Sequence, residues 1–314
     1  MSIVPDGSPT PAATLARALR DAAACGLDRL DAQLLLLHAL GRPAHDRAWL
    51  LAHDDDALPE AAGACFARHV ARRVAGEPVA YLLGEKEFHG LALRVDARVL
   101  VPRPDTETLV EWALEILRRS SPAAADAPPR VLDLGTGSGA IALALQQARP
   151  DADVDAVDAS AGALDVARGN ALRLGLPVRF RQADWLEGAP SACYDLIVSN
   201  PPYIAAGDPH LPALAHEPAA ALVAGADGLD DLRRIVADAP AHLRGDGWLL
   251  LEHGHDQAVA VRALLAAHGF SAVASRLDLA GIERCSGGRL TMPRGLPGQR
   301  DLACDAGAPG ATVK

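Results

Sequence analysis

The chain has 314 residues, 50% of them apolar, and a formal net charge of −10. This length allows one large or two ordinary domains, and the negative charge argues against a protein whose main task is to grip nucleic acid. The sequence has no long apolar run and no basic leader followed by an apolar stretch, so we expect no membrane span and no secretory signal. Five scattered cysteines without C-x-x-C spacing favour reduced thiols in the cytoplasm.

Residues 1–85 are predicted to form a small helical domain. Apolar residues recur at helical spacing in 12–24, 30–40 and 60–75, and glycine or proline interrupts the pattern between them. No group of catalytic side chains is recognisable in this part.

Residues 86–101 are predicted to be a hairpin linker, because 87–95 partly alternate and contain a glycine turn. Pro-Arg-Pro-Asp-Thr-Glu follows at 102–107, where Asp105 or Thr106 is expected to cap the next helix. Residues 120–129, rich in Ala and Pro, are interpreted as a linker.

Residues 102–292 are predicted to form an α/β domain. Alternating strands and helices favour a parallel sheet that is covered on both faces. The predicted strands are 131–134, 154–158, 178–181, 196–199 and 248–252, and the predicted helices are 140–148, 161–174 and 229–243. Residues 293–314, rich in Gly, Pro and Ala, are predicted to be a disordered tail.

A glycine-rich loop, Gly135-Thr136-Gly137-Ser138-Gly139, directly follows the first strand of this domain. Glycines allow a sharp turn and close approach of a ligand to the backbone. The spacing G-x-G-x-G is neither that of a dinucleotide site nor that of a P-loop. Taken alone, the loop is either a cofactor cradle or a structural turn between strand and helix.

Acidic residues follow neighbouring strands. Asp158 ends the second strand, where a carboxylate can bind both ribose hydroxyls, although it could instead cap the next helix. Asp184 and Trp185 follow the third strand and can meet an adenine ring, although Trp185 could instead belong to the core. Asp133 can bind a ligand ammonium group or the amides of the turn. Because ligands of open α/β sheets bind beyond the carboxyl ends of the strands, these residues predict one crevice.

Asn200-Pro201-Pro202-Tyr203 follows the fourth strand. Each proline fixes its own φ and favours extended backbone before it, so this segment is stiff. The Asn200 oxygen and the Pro201 carbonyl can accept the two N–H groups of a planar NH₂ group, and Tyr203 can pack against it. The segment suits methyl transfer to nitrogen, and an adenine and a glutamine fit it equally well.

These motifs resemble class I S-adenosylmethionine-dependent methyltransferases that act on nitrogen. Residues 102–107, 76–78 and 81–84, together with 208–211 and 250–254, further resemble the release factor glutamine methyltransferases, the PrmC/HemK family. The resemblance implies a Rossmann-like methyltransferase sheet, a small all-α N-terminal domain that docks the substrate and a linking β-hairpin. It also implies methyl transfer from S-adenosylmethionine to the glutamine of the Gly-Gly-Gln motif in class 1 peptide chain release factors.

By this resemblance, the cofactor would be held by Gly135, Thr136, Gly137, Ser138, Gly139, Asp158, Trp185 and Asn200. The glutamine would be held by Asn200, Pro201, Pro202 and Tyr203, with Asn200, Pro201 and Tyr203 as catalytic residues. We predict no metal site, because the sequence has no H-E-x-x-H motif and no Cys/His cluster. We also expect no direct contact with nucleic acid. Three alternatives remain: glutamine methylation of a ribosomal protein, adenine-N6 methylation of nucleic acid, and cofactor binding without catalysis.

Overall fold

The computed structural model describes residues 13–119, 127–191 and 194–291. These residues divide into two compact units, one within Met1–Glu85 with Pro212–His216, the other within Lys86–Leu211 and Glu217–Lys314. The predicted tail at 293–314 and most of the predicted linker at 120–129 lie outside the described residues.

The first unit is helical, as predicted. Its described helices are α1 (Leu15–Ala24), α2 (Arg29–Ala39), α3 (Arg47–Ala52), α4 (Glu60–Val74) and α5 (Val79–Leu83). Side chains cap two of them: Thr14 accepts from the Arg17 amide at 3.2 Å and Asp28 from the Leu30 amide at 2.7 Å. The core of the unit is built largely from leucines of α2, together with Leu15 and Phe66.

The predicted hairpin is formed by β1 (Glu85–Phe88) and β2 (Leu91–Arg94), and from Lys86 onwards it belongs to the second unit. A 3-10 turn at Pro104–Thr106 then leads into α6 (Glu107–Arg119). Asp105 and Thr106, predicted to cap this helix, lie inside the turn instead. The Glu107 carboxylate accepts from the backbone N–H of His89 at 3.0 Å and so connects the start of α6 to the hairpin turn.

The described part of the second unit contains a seven-stranded sheet in the order β5-β4-β3-β6-β7-β9-β8. Its strands are β3 (Arg130–Leu134), β4 (Asp153–Asp158), β5 (Arg179–Gln182), β6 (Tyr194–Ser199), β7 (Leu243–Glu252), β8 (Phe270–Leu277) and β9 (Glu283–Leu290). The remaining helices are α7 (Ala140–Ala148), α8 (Ala161–Leu174), α9 (Asp230–Asp238) and α10 (Ala258–Ala267). The five strands β5, β4, β3, β6 and β7 are parallel, and β9 is antiparallel to both neighbours.

Alternate residues of each central strand enter two separate cores. Val131 and Val198 pack on one face with α6 and α7, whereas Leu132 and Ile197 pack on the other face with α9 and α10. Both faces of the sheet are therefore apolar, which explains the nearly continuous apolar runs in these strands. The prediction of a parallel sheet between helices is confirmed.

The C-terminal part of the sheet was not predicted. Helix α10 and strands β8 and β9 were not predicted from the sequence, and the helix predicted for 229–243 ends at Asp238, with β7 beginning at Leu243. Strand β9 contains Gly287, where a Cβ would lie 2.4 Å from the Leu250 side chain. The segment forms a strand because it packs closely on β7 and pairs with it, although its two glycines do not favour a strand.

The order of the strands creates the crevice. The chain leaves β3 for β4 and β5 on one side, then returns to place β6 and β7 on the other side. Ligands of open α/β sheets bind at such a reversal, beyond the carboxyl ends of the strands. The loops that follow β3, β4, β5 and β6 all meet at this edge.

Candidate active site

The glycine loop is a tight turn between β3 and α7. Gly135, Gly137 and Gly139 have φ of +69°, +56° and +86°, a region that glycine enters without steric cost. The Thr136 amide donates to the Val157 carbonyl at 2.9 Å and thereby anchors the loop to β4. A Cβ on Gly137 would meet no other atom within 4 Å. Glycine is therefore favoured at position 137 by its positive φ and not by crowding, because a Cβ there would meet no steric obstacle. The space beside Gly137 is open.

Asp133, in the strand β3 that directly precedes the loop, stabilises it through hydrogen bonds to its carboxylate. One of its carboxylate oxygens accepts from the Thr136 hydroxyl at 2.6 Å and from the Ala142 amide at 3.2 Å. The side chain is fully buried, and burial raises its pKa to about 7. These contacts support the interpretation that Asp133 binds groups of the turn. Its other carboxylate oxygen is buried without a hydrogen-bond partner among the described residues, so the interpretation that it binds a ligand ammonium group also stays open.

Asp158 lies at the end of β4 and contacts the loop directly. Its carboxylate accepts from the Gly137 amide and from the Ser160 amide, each at 2.8 Å. The cap of α8 is Ser160, whose hydroxyl accepts from the Ala163 amide at 3.2 Å. Asp158 is therefore not the helix cap, and its half-buried carboxylate borders the pocket.

Trp185 faces the glycine loop from the end of β5. A Cβ on Gly135 would lie 3.1 Å from its ring, and its indole N–H donates to Asp231 at 3.1 Å. The φ of Trp185 is +50°, which is unusual for a bulky residue. The neighbouring Asp184, considered for adenine recognition, forms a two-contact ion pair with Arg234 at 2.6 and 3.0 Å. Trp185 packs partly on the core and also lines the pocket.

Asn200 is the first residue after β6, and only one end of its side-chain amide has a hydrogen-bond partner in the described part of the chain. Its amide nitrogen donates to the Thr106 hydroxyl at 3.1 Å. Its amide oxygen is buried and has no hydrogen-bond partner among the described residues. A buried acceptor without a partner is costly unless a ligand satisfies it. Asn200 therefore presents an unfilled acceptor at the edge of the pocket.

The rest of this segment is fixed by buried contacts. Pro201 and Pro202 are buried. The Tyr203 carbonyl accepts from the Gln257 side chain at 3.0 Å, and the Tyr203 hydroxyl donates to Glu252 at 3.2 Å. Burial raises the pKa of Tyr203 further above its ordinary value, so the phenol stays protonated.

These elements enclose one pocket of about 540 Å³. The volume falls within the range of roughly 300–1,000 Å³ typical of small-molecule sites. Its lining includes these predicted site residues: Gly135, Thr136, Gly137, Ser138, Asp158, Trp185, Asn200 and Pro202. Three other predicted site residues, Gly139, Pro201 and Tyr203, are not among the residues that line it. Among the described residues, no group of His, Cys, Asp or Glu is arranged to hold a metal ion, and no helix is long and apolar enough to cross a membrane.

Residues that the sequence analysis did not assign support the pocket. Buried Asn170 of α8 donates to the Ser138 carbonyl at 2.9 Å and exchanges hydrogen bonds with backbone groups of Arg94, so it connects the glycine loop to the hairpin. Buried Glu217 accepts from the Val101 amide at 3.0 Å and pairs with Arg103, which lines the pocket. These contacts join distant parts of the chain, so sequence spacing carries no sign of them.

One solved structure and two family matches agree with this architecture. Residues 13–84 match the PrmC N-terminal domain family, and residues 115–268 match the Methyltransferase small domain family. The hMettl16 catalytic domain, solved in complex with MAT2A 3'UTR hairpin 6, has a TM-score of 0.52 at 17% identity, covering 71% of this chain and 84% of that chain, and so shares the fold. A protein-(glutamine-N5) methyltransferase (release factor-specific) from Alicyclobacillus acidocaldarius is 34% identical, covering 64% of this chain and 100% of that chain, with a TM-score of 0.39.

Curated relatives match over most of their length. A release factor glutamine methyltransferase from Bordetella pertussis is 54% identical over 268 residues, which is 84% of this chain and 96% of the relative. One from Xylella fastidiosa (strain Temecula1) is 51% identical over 284 residues, or 90% of this chain and 98% of the relative. This chain therefore belongs to the family of release factor glutamine methyltransferases.

Proposed function

We propose that this chain transfers a methyl group from S-adenosylmethionine to the side-chain amide nitrogen of the glutamine in the Gly-Gly-Gln motif of class 1 peptide chain release factors. The observation that carries the proposal is the buried, unpartnered oxygen of Asn200 in the same pocket as the glycine loop. The names of the curated relatives support the choice of substrate. A release factor substrate would place the activity in the cytoplasm, where translation takes place.

The residues of the pocket fit S-adenosylmethionine. The loop at 135–139 borders open space beside Gly137, as expected of a cradle for a ligand. Asp158 would bind the ribose hydroxyls, since a carboxylate can accept further hydrogen bonds beyond its two contacts with the backbone. Trp185 would pack beside the adenine ring. When bound, the cofactor supplies a methyl group on a positively charged sulfur, so the transfer requires no metal ion.

Asn200 and Pro201 would hold and polarise the substrate amide. An amide nitrogen is a poor nucleophile, because its lone pair is delocalised into the carbonyl group. The Asn200 oxygen would accept one N–H of the substrate amide, and the Pro201 carbonyl would accept the other. These two hydrogen bonds shift electron density towards the nitrogen. The stiff proline backbone fixes the angle of attack, and such positioning can contribute on the order of 7–11 kcal/mol at best. Both acceptors also stabilise the positive charge that develops on the nitrogen. The methylated nitrogen then releases one proton to solvent, which restores a neutral amide.

Pro202 and Tyr203 would complete the binding site for the planar group. Pro202 lines the pocket, and the Tyr203 ring is anchored by the bond from its hydroxyl to Glu252. A neutral phenol is suited to packing and to donating one hydrogen bond, whereas it is a weak base. Tyr203 therefore acts through packing and position in this proposal, and does not remove a proton.

The helical first unit would help to dock the protein substrate. The segment at 200–203 can recognise an amide group, but it is too small to select a whole protein. The match of residues 13–84 to the PrmC N-terminal domain family supports a role for this unit within the same family. Direct contact with nucleic acid forms no part of the proposal.

A labelling experiment tests the substrate. The full chain is incubated with methyl-labelled S-adenosylmethionine and, in separate reactions, a class 1 release factor, its Gly-Gly-Gln variant with Gln→Ala, a ribosomal protein fraction, or adenine-containing DNA. We expect label on the release factor and none on its variant. Label confined to the ribosomal fraction would favour a ribosomal protein, and label confined to DNA would favour adenine methylation. Absence of label in every reaction would favour a binding module.

A further inference from the structure

Thr106 contacts the candidate catalytic amide, although it belongs to a distant part of the sequence. The residue is 4% exposed, and its hydroxyl accepts from the Asn200 side-chain nitrogen at 3.1 Å. A hydroxyl has one proton to donate and two lone pairs that accept. The orientation of the Asn200 amide therefore depends on where the Thr106 proton points.

Glu252, the last residue of β7, lies close to the same hydroxyl. It is 1% exposed, and one of its oxygens accepts from the Tyr203 hydroxyl at 3.2 Å. The other Glu252 oxygen is buried and has no hydrogen-bond partner among the described residues. The Thr106 hydroxyl lowers the pKa of this carboxyl, against the larger rise caused by burial. An ionised carboxylate can only accept hydrogen bonds. It therefore accepts the proton of Tyr203 at one oxygen, and its other, unpartnered oxygen attracts the proton of Thr106.

Glu252 can thus influence the orientation of the Asn200 amide through the Thr106 hydroxyl, which lies between them in the chain of contacts. When the Thr106 proton points to the carboxylate, the Thr106 lone pairs face Asn200 and favour its NH₂ group. The Asn200 oxygen is then turned away from Thr106, which agrees with its lack of a partner. In the flipped amide, the oxygen would accept from Thr106, and the NH₂ group would meet the NH₂ group of the substrate, donor against donor.

We propose that Thr106 and Glu252 are positioning residues that hold the Asn200 amide with its oxygen towards the substrate. The inference rests on the proposed function, since it concerns the acceptor for the glutamine N–H. Thr106 lies in the segment Pro102–Glu107, which resembles the corresponding segment of the family. The inference gives Thr106 a physical role, which the resemblance alone does not. Neither residue needs to touch the reacting atoms.

The first test observes the amide in the absence of substrate. Asn170 and Asn200 are the only asparagines in the chain, so labelling of asparagine side chains with ¹⁵N gives two NH₂ signals. We expect Thr106→Val to accelerate hydrogen exchange of the Asn200 signal about three- to tenfold, as loss of one neutral hydrogen bond implies. Thr106→Ser should preserve the wild-type rate. The Asn170 signal is the internal control, because its hydrogen bonds are with Ser138 and Arg94.

The second test measures catalysis with a class 1 release factor. Thr106→Val should lower kcat about tenfold to hundredfold, because the acceptor is no longer held in place. Its KM for the release factor and its Kd for the cofactor should stay within about threefold of the wild type, and Thr106→Ser should restore most of kcat. Glu252→Gln should also lower kcat, since a carboxamide can donate as well as accept. Glu115→Gln is the matched control, because Glu115 is a half-exposed partner of Arg276.

The outcomes separate the two proposals. Wild-type exchange of the Asn200 amide in Thr106→Val, or wild-type kcat in both Thr106→Val and Glu252→Gln, would overturn the positioning role. Equal losses of kcat and of cofactor affinity would also overturn it, since they would indicate general damage to the pocket. A wild-type chain that does not methylate the release factor, but shows the expected exchange behaviour, would overturn the proposed substrate alone.

Discussion

The carboxylate of Asp158 accepts a hydrogen bond from the backbone N–H of Gly137 at 2.8 Å. This bond connects the end of β4 to the loop after β3, so one side chain both shapes the loop and borders the pocket. The two functions belong together physically. A carboxylate that already orders the loop can bind ligand hydroxyls with little further loss of freedom.

Asp158→Ala should weaken binding of S-adenosylmethionine about tenfold to hundredfold. The estimate follows from loss of hydrogen bonds to a charged acceptor, about 1.5–3 kcal/mol. Titration calorimetry with the cofactor measures the change. Asp165→Ala, at an exposed position of α8, is the matched control and should bind as the wild type does. Unchanged affinity in Asp158→Ala would restrict Asp158 to the structure of the loop.

Asn200→Ala should reduce turnover far more than cofactor binding. Removal of the acceptor for the substrate N–H is expected to lower kcat about a hundredfold or more, as for other preorganised polar groups. The Kd for S-adenosylmethionine should change by less than about threefold. Steady-state methylation of a release factor and calorimetry with the cofactor give the two values. Losses of similar size in both would assign Asn200 to the cofactor instead of the substrate.

The rate of methylation should depend on pH near neutrality. Burial raises the pKa of Glu252 to about 7, so its carboxyl is mostly protonated below this pH and ionised above it. Only the ionised form draws the Thr106 proton away from Asn200, so kcat should rise with pH through about 7 and then level off. Other titratable or charged groups that act on Glu252 are Tyr203, Asp105, Arg284 and Cys285.

A pH series of kcat for the wild type and Glu252→Gln tests this assignment. The variant lacks the titrating carboxyl, so its kcat should be low and should lose the rise near pH 7. Glu115→Gln should keep the wild-type profile. If Glu252→Gln retains the rise, another group is responsible for it.

The same carboxyl should make the stability of the protein depend on pH. Glu252 has an ordinary pKa of 4.5 and a folded-state pKa of about 7, so between these values the folded chain binds the proton and the unfolded chain does not. The free energy of unfolding should therefore fall as the pH rises through this window, by on the order of 3 kcal/mol. Urea unfolding at pH 5 and pH 8 should show a smaller fall in Glu252→Gln. An equal fall in both proteins would contradict this source of the pH dependence.

The pair of Arg103 and Glu217 should contribute to the stability of the pocket wall. The Glu217 side chain is 3% exposed, whereas Arg103 is 36% exposed. Arg103→Met leaves the buried carboxylate with the Val101 amide as its remaining recorded donor, so it should destabilise the fold by about 1–3 kcal/mol. The double variant with Glu217→Gln should recover part of this loss. Urea unfolding of the two single variants, Arg103→Met and Glu217→Gln, and of the double variant gives the comparison, and additive losses would show that the two side chains are not coupled.

Local patterns were sufficient to predict the centre of the sheet and the loops at its edge. Strands β3 and β6 are short apolar runs followed at once by glycines or by Asn200, so strand and site residue are neighbours in sequence. The supporting contacts could not be predicted in this way. Thr106 and Asn200 are 94 residues apart, and only the folded sheet brings them within 3.1 Å. Strand β9 escaped prediction for a related reason, because its pairing with β7 outweighs the weak strand propensity of its glycines.

The pairing of β3 with β6 has a consequence for the way the protein folds. The glycine loop and the Asn200 segment lie on these adjacent strands, but α7, β4, α8 and β5 separate them along the chain. A pairing of this kind requires closure of a long loop before its contacts stabilise the chain, so it forms slowly compared with the helices. In a refolding experiment the helical signal should therefore recover first, and the ability to bind S-adenosylmethionine should mark the moment at which the two halves of the sheet have joined.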